Sequence, residues 1–598
     1  MKNTASGSIH RLALDWSLND YQTLEITIQG KPVQIIGAAG IKRLQSPLLF
    51  ELPEVLPPGK DLEIILSFSM SASLKKVGKA RVTGWYPRLW WEFQNHDDYE
   101  VKIDIPSGWF IAPSGSLDPE TGFYHARDVR TFGFFVGKGY QVMEDQAGET
   151  LVRCVYNERS RECAQLLLET AVDVINFYRE HFGFYPHNVL TIVPGDERSV
   201  GGSPIATNLV EVHSQERMSE LPELHWRWIT AHEIGHQYWG EYILEKDSPG
   251  WLWIGLGIYA DREYVQARNL GLEKHQNLMS RYLNGVRRHL DTTVDITPEK
   301  LKKTKFDFNN VVIHGKGYSI ISALACFLGK ETFDRIYKRC LKEYAGRQLG
   351  ADEFQAVCEE ECGKDLDWFF YQWLRTNRHL YYKVSSQECT EQNGRYISKV
   401  VVDCPGTLKM PVPVEACFED GTCQREFTDR FLDVNTLFFE STSPLKEGRV
   451  DPDNELAMVL PTPSTEEKLI RKLTQIPWVG GGKKALALFN EAQENKPANA
   501  DFWGDLGVKL FDGEYYQEAL QAFALAELLA DHNSLLRFKS LAWEGHILDI
   551  LGRRQEAIAK YREALNKDTG GYARHDQYGM TIDRKWINKR LKEPFQRK

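Results

Sequence analysis

The stretch HWRWITAHEIGHQYWGEYI, residues 225–243, decides how the rest of the chain is read. Its aromatic and aliphatic residues recur at helical spacing, which predicts a buried helix. Positions four apart on a helix share a face, so His232 and His236 can aim ring nitrogens at one ion, at the roughly 2.0–2.1 Å that zinc requires. Glu233 lies beside them, where a carboxylate can take a proton from metal-activated water in peptide hydrolysis. Two histidines and a glutamate fall at this spacing by accident in many proteins. Their setting among tryptophans argues against accident, because burying two imidazoles and a carboxylate is costly unless they serve a site.

Upstream, the text from Leu12 to about Tyr140 alternates apolar and polar residues between turn signals, as in LEITIQ, LEIILSFSM and RTFGFFVGKGY. A period of two predicts an amino-terminal β-domain over residues 1–150. Helical spacing takes over near Ser160, where Leu166, Leu167, Val172, Ile175 and Phe177 form an apolar stripe that Gly183 and Pro186 terminate. The apolar run VLTIV at 189–193 predicts a short buried strand, and helical segments dominate from there to about Arg378. Residues 151–378 are therefore expected to form one mainly helical domain. The period returns to two between Leu380 and Leu460, in YYKVSS, YISKVVVD and MPVPVEACF, which predicts a small β-sandwich over 379–462 with Pro461 and Pro463 at its exit.

After a linker, 463–484, that includes Gly480-Gly481-Gly482, the text repeats itself over 485–598. Ala485, Phe489 and Ala492 recur as Ala519, Phe523 and Ala526, an offset of 34, and as Ala557, Tyr561 and Ala564, a further offset of 38. Trp503, Leu506, Gly507, Gly513, Tyr515 and Tyr516 stand in the middle copy at spacings that resemble tetratricopeptide repeats. Small alanines let paired helices approach while aromatic residues fill the gaps between layers. The fold class expected for the whole is multidomain α+β, closing on an α-helical repeat module of the kind that docks partners.

The 598 residues are 42% hydrophobic and 26% charged, which excludes disordered, collagen-like and disulfide-scaffold chains. A net charge of −10 gives no footprint for nucleic acid, so no nucleic-acid partner is expected. The run Ile320–Leu328 is short of the ~20 residues a membrane span needs, so no transmembrane segment is expected. The amino terminus lacks the apolar core of a secretory signal, which leaves a cytoplasmic location or a processed export product. Ten cysteines are too dilute for a disulfide framework and reduced thiols are the default, although Cys389, Cys404, Cys417 and Cys423 cluster in one segment.

The order of β-domain, helical domain with HExxH and small β-sandwich resembles the gluzincin zinc aminopeptidase family, which includes membrane alanine aminopeptidase and leukotriene hydrolase. HQYWG after the motif, Trp251, Leu252, Gly255 and Tyr259, the Gly315-Lys316-Gly317 triplet and LDWFFYQWL at 366–374 carry the resemblance, over roughly residues 80–460. It implies a thermolysin-like catalytic-type domain between β-domains, and one zinc ion used to remove amino-terminal residues from peptides.

The departures bear directly on that chemistry. The family places its third zinc ligand, a glutamate, where this chain has Ile254, after a spacer one residue shorter than usual. Its amine-anchoring glutamate, on a glycine-rich edge strand, falls here on Pro204, after Gly201, Gly202 and Ser203; Gly201 and Gly202 keep the substrate-pairing position. Its oxyanion tyrosine falls on His314, which when protonated can still donate and which is also a candidate for the missing ligand, giving a three-histidine site with an open position for water. Asp261, seven residues past Ile254, is a candidate replacement ligand or a hydrogen-bond partner for a histidine, and Glu241 and Glu245 read as solvated.

The resemblance thus implies His232 and His236 as metal residues, Glu233 and His314 as catalytic ones, and zinc bound weakly or not at all. Two expectations follow: a degenerate peptidase fold that binds peptides or protein partners through its cleft and helical repeats, or an active zinc metallopeptidase of altered specificity with Glu233 as base.

Overall fold

The structure is a computed structural model that describes residues 1–15, 21–33, 35–36, 48–70, 79–82, 85–89, 95–195, 201–213, 215–246, 249–458, 464–477, 480–530, 534–567, 573–575 and 580–597. Pro461 and Pro463 lie outside the described residues. The chain divides into two compact units, the first made of Met1–Ser219, Ile229–Lys246 and Leu341–Leu349, the second of Glu220–Trp228, Asp247–Cys340 and Gly350–Lys598.

In the first unit the period-two text becomes antiparallel strands. Ile9–Asp15 pairs with Leu48–Leu56, and Tyr21–Ile28 with Ile64–Met70. Their alternate residues Leu12, Leu14, Ile26, Ile28 and Phe50 meet in one apolar cluster. A five-stranded sheet follows, ordered Gln141–Ala147, Thr150–Tyr156, Val189–Pro194, Leu209–Val212 and Gly202–Ala206. Its central strand, Val189–Pro194, runs parallel to both neighbours and is buried throughout, which is why its sequence is continuously apolar rather than alternating. Helix Arg161–Phe182 connects two of these strands, burying Ala164, Leu167, Leu168, Ala171, Val174, Ile175 and Tyr178. Gly183 ends it at a φ of 97°, a left-handed conformation that favours glycine. The unit closes late, when Gln348–Leu349 pairs in parallel with Leu244–Glu245.

The second unit packs helix Trp251–Ala267 against Gly317–Leu328 through glycines. A Cβ on Gly255 would lie 2.8 Å from the Gly317 carbonyl oxygen, and one on Gly317 would lie 2.9 Å from that of Trp251. Gly255, Gly315 and Gly317 are thus packing residues that allow close backbone approach. Lys316 is fully buried, its ammonium donating to the carbonyls of Thr292 and Thr376 at 2.8 Å each, and burial pushes its pKa down to about 7. The continuous helical stretch Asn309–Leu328 is long and apolar enough to cross a membrane by length and composition, and 72% of its apolar window is buried inside the protein.

The sandwich consists of two three-stranded sheets, Lys383–Gln392, Arg395–Asp403 and Val434–Ser441 in one, Cys423–Phe427, Pro413–Phe418 and Leu445–Val450 in the other. Cys417 and Cys423 face each other across a hairpin and form a disulfide, where reduced thiols were the default expectation; Cys389 and Cys404 are free.

The carboxy-terminal part is α-helical. The stretch expected as a linker contains helix Ser464–Gln475, whose Leu469 and Leu473 join the core of the following helices. Gly482 begins the next helix, and a Cβ there would lie 2.6 Å from Gly513 Cα, so that glycine also serves packing. All nine repeating alanine and aromatic positions are buried in this core. One device recurs at an interval of 38 residues: a Cβ on Gly507 would touch the Phe523 ring at 3.0 Å, and a Cβ on Gly545 would overlap the Tyr561 ring at 2.4 Å.

Candidate active site

Helix Glu223–Gly235 carries His232 and Glu233 in its last turn, and His236 continues it, its N–H donating to the His232 carbonyl at 3.3 Å. The two imidazoles lie on one face with ring centroids 4.7 Å apart and their Nε2 atoms 3.2 Å apart. Two nitrogens each about 2.05 Å from one tetrahedral ion are separated by roughly 3.3 Å, so the pair is set for a shared cation. Both histidines and Glu233 are buried.

The last turns of the helix and the turn after it are held by groups distant in sequence. Tyr178 donates to the Ala231 carbonyl at 3.1 Å, Asn208 N–H to Gln237 Oε1 at 2.7 Å, and His187 Nε2 to the Gln237 carbonyl at 3.2 Å. Burial pushes His187 down to about 4, which keeps the ring neutral. Glu241, expected to be solvated, is buried and accepts from Thr207 at 2.5 Å, Arg130 at 3.2 Å and Thr131 at 3.4 Å. Glu245 is half-buried.

The last strand of the five-stranded sheet runs beside Glu233. A Cβ on Gly202 would fall 2.4 Å from Glu233 Oε1, so only glycine at 202 leaves the carboxylate in place. His213 N–H donates to the Gly201 carbonyl at 2.9 Å. That bond turns residues 201 and 203 toward the neighbouring strand and residues 202 and 204 toward the open edge. Pro204 therefore sits where its missing N–H breaks no ladder bond, which is how an edge strand tolerates proline. A register irregularity follows between Pro204 and Ala206. The sequence motif residues Gly201, Gly202, His232, Glu233 and His236 are thus gathered in the first unit.

The other candidates belong to the second unit. Ile254 is 6% exposed on helix Trp251–Ala267. Residues 247 and 248, within the shortened spacer, lie outside the described residues. Asp261 has a histidine partner, but it is His275, whose Nε2 lies 2.5 Å from Asp261 Oδ1, and burial raises the Asp261 carboxyl to about 6. His314 is half-buried in a π-helical stretch, Asn309–Lys316, and its Nδ1 donates to the Asn309 carbonyl at 3.0 Å. That bond assigns the proton to Nδ1 in the neutral ring, so donation from Nε2 requires the charged form. Among the described residues of the second unit, three potential ligand atoms converge at Glu415, Cys417 and Cys423 and at Glu359, Asp365 and Asp367. His232 and His236 belong to neither group, and the first is closed by the disulfide.

Residues 167–373 match the peptidase family M1 domain. The chain is 23% identical over 209 residues to aminopeptidase M1-B of Oryza sativa subsp. japonica, covering 33% of this chain and 23% of that protein. It is 22% identical over 302 residues to probable aminopeptidase 2 of Sulfurisphaera tokodaii, covering 46% of this chain and 37% of that protein. The matched regions thus span 23% and 37% of these relatives' own length, and the relationship is to the M1 aminopeptidase superfamily at low identity. The fold is similar to a crystal structure of Legionella pneumophila aminopeptidase A in complex with aspartic acid, with a TM-score of 0.56 and 13% identity over 94% of this chain and 76% of that one.

Proposed function

We propose that this chain is an M1-type peptidase fold turned to binding, a scaffold for peptides or protein partners with little or no hydrolytic activity. The observation that carries this reading is Ile254, a buried apolar side chain at the sequence position where the resembling family has its acidic zinc ligand. Structural zinc sites bind with on the order of 10–16 kcal/mol over four ligands, so one missing ligand weakens binding by roughly two to three orders of magnitude. Pro204 supports the same reading, since an extended peptide pairing with that edge finds one donor fewer. His314 supplies an oxyanion donor only when protonated. The helical module, read as tetratricopeptide-like repeats, adds a second partner-binding surface, as short solenoids do.

The convergence of His232 and His236 favours a second reading, an active metallopeptidase of altered specificity in which Glu233 is the general base. Zinc bound there would supply a Lewis acid that activates water near neutral pH. Metal analysis of the purified full chain after zinc reconstitution, with hydrolysis assays on free-amine and amine-blocked peptides, decides between them. The scaffold reading expects well under one zinc per chain and no hydrolysis sensitive to Glu233→Gln. Stoichiometric zinc with turnover abolished by that substitution overturns it.

A further inference from the structure

Within the sandwich, Val434–Ser441 is the outer strand of its sheet, hydrogen-bonded on one side to Arg395–Asp403. Cys404 N–H donates to the Asp433 carbonyl at 2.8 Å, which makes that pair a hydrogen-bonded one and by alternation turns the backbone groups of Glu440 away from that neighbour, where Gln424 Nε2 donates to the Glu440 carbonyl at 2.7 Å. Strand parity then sends the N–H and C=O of Val434, Thr436 and Phe438 the same way, while Asn435, Leu437 and Phe439 bond inward. Ser385 donating to the Val401 carbonyl on the far side of Arg395–Asp403 is consistent with this phase, since Val401 is the partner of Thr436. Exposed apolar side chains on this edge are Val434 at 54% and Phe438 at 64%, and the preceding loop adds Leu432 at 48% and Phe431 at 75%, the latter with the Arg430 guanidinium 4.0 Å over its ring.

Together these expose on the order of 500 Å² of apolar surface, at the upper end for the largest patch of a monomer. The other outer strands of the sandwich are blunted in the usual way by charge. Lys383–Gln392 carries Lys383, Glu388 and Glu391, and Cys423–Phe427 carries Glu426 and Arg425, the latter paired with Asp453 and Glu415. Residues 434–438, Val-Asn-Thr-Leu-Phe, carry no charge; the charges that flank them are already paired, Asp433 with Lys409 and Glu440 with Arg395.

We infer that this edge is a homodimer contact, in which Val434–Phe438 of two copies pair antiparallel about a two-fold axis at Thr436. The register is self-complementary. Thr436 meets its own counterpart, and Val434 of each copy meets Phe438 of the other, the threonine and aromatic-to-β-branched pairs that stabilise antiparallel strands. No like charges face each other in this register. A standard interface takes about 800 Å² from each partner, and this patch would supply roughly half of it.

Sedimentation velocity of the full chain from about 1 to 100 µM tests it, a range that brackets weak and moderate dimers. The expected result is a concentration-dependent shift to twice the chain mass, with association weakened at least tenfold by Thr436→Pro and by Phe438→Lys. The proline removes only an outward N–H, so pairing with Arg395–Asp403 is kept. A chain that stays monomeric at the top concentration overturns the inference, as does a dimer that both variants retain. If either variant loses its cooperative melt, hydrogen exchange of the wild type decides: protection of the Thr436 and Phe438 amides that rises with protein concentration supports the contact, and protection independent of concentration overturns it.

Discussion

Gly255→Ala tests the physical core of the second unit. The added methyl carbon would sit 2.8 Å from the Gly317 carbonyl oxygen, 2.8 Å from Ile321 Cγ1 and 3.1 Å from the Gly317 carbonyl carbon. Non-bonded heavy atoms prefer about 3.5–4.0 Å, so the two helices must separate by more than half an ångström along a contact made by backbone. Overpacking of this kind costs roughly 1–3 kcal/mol, and alanine's better helix propensity returns up to about 1 kcal/mol. A net loss of about 1–2 kcal/mol follows, a fall in melting temperature of roughly 1–3 °C for a unit of this size. Thermal melts and urea titrations with an unchanged slope would measure it. Because the main obstacle is a carbonyl, trimming the side chain with Ile321→Val should not rescue the variant, and the double-mutant coupling should stay near 0.5 kcal/mol or below. An alanine variant that melts at or above the wild type, or one restored by Ile321→Val, would refute the reasoning.

Glu241→Ala leaves the buried Thr207 and Thr131 hydroxyls without their acceptor, while half-buried Arg130 keeps the Gly240 carbonyl, and should cost about 1–3 kcal/mol, with Glu241→Gln milder because one oxygen acceptor is kept; urea midpoints report both. The Asp261 carboxyl titrates near 6 in the folded chain against 3.8 unfolded, so the native state binds the extra proton between those values and stability falls as pH rises from about 4 to 6. Asp261→Asn should flatten that slope, a difference of up to about 3 kcal/mol in pH-dependent urea denaturation. Phe595→Ala removes a ring stacked 4.2 Å from His546 and should cost about 3 kcal/mol, read as faster amide exchange in helix Arg584–Lys592.

The parts of this protein that were legible in its sequence are those governed by local spacing. The i, i+4 relation of His232 and His236 predicted a shared face, and the rings do converge. The alternation of LEITIQ predicted a strand, and it forms one whose alternate residues Ile26 and Ile28 are buried. What escaped reading depends on partners far along the chain. Glu241 looked like a solvated charge because its donors, Arg130, Thr131 and Thr207, lie at least 34 residues away. The meeting of Gly202 with Glu233 requires knowing how the last strand of a sheet lies against a helix. Asp261 was expected to serve a histidine, but spacing alone did not point to His275, on the next helix. The π-helical turn at Asn309–Lys316 leaves no mark in composition at all.

The late closure of the first unit has a consequence for biosynthesis. Its strand Leu244–Glu245 finds its mate, Gln348–Leu349, only after roughly 100 further residues have been translated, most of them belonging to the other unit. At bacterial to eukaryotic elongation speeds of about 5–20 residues per second, that interval is on the order of ten seconds. During it the nascent chain holds an incomplete amino-terminal body while intervening helices emerge, a window in which chaperone capture or proteolysis would compete with completion.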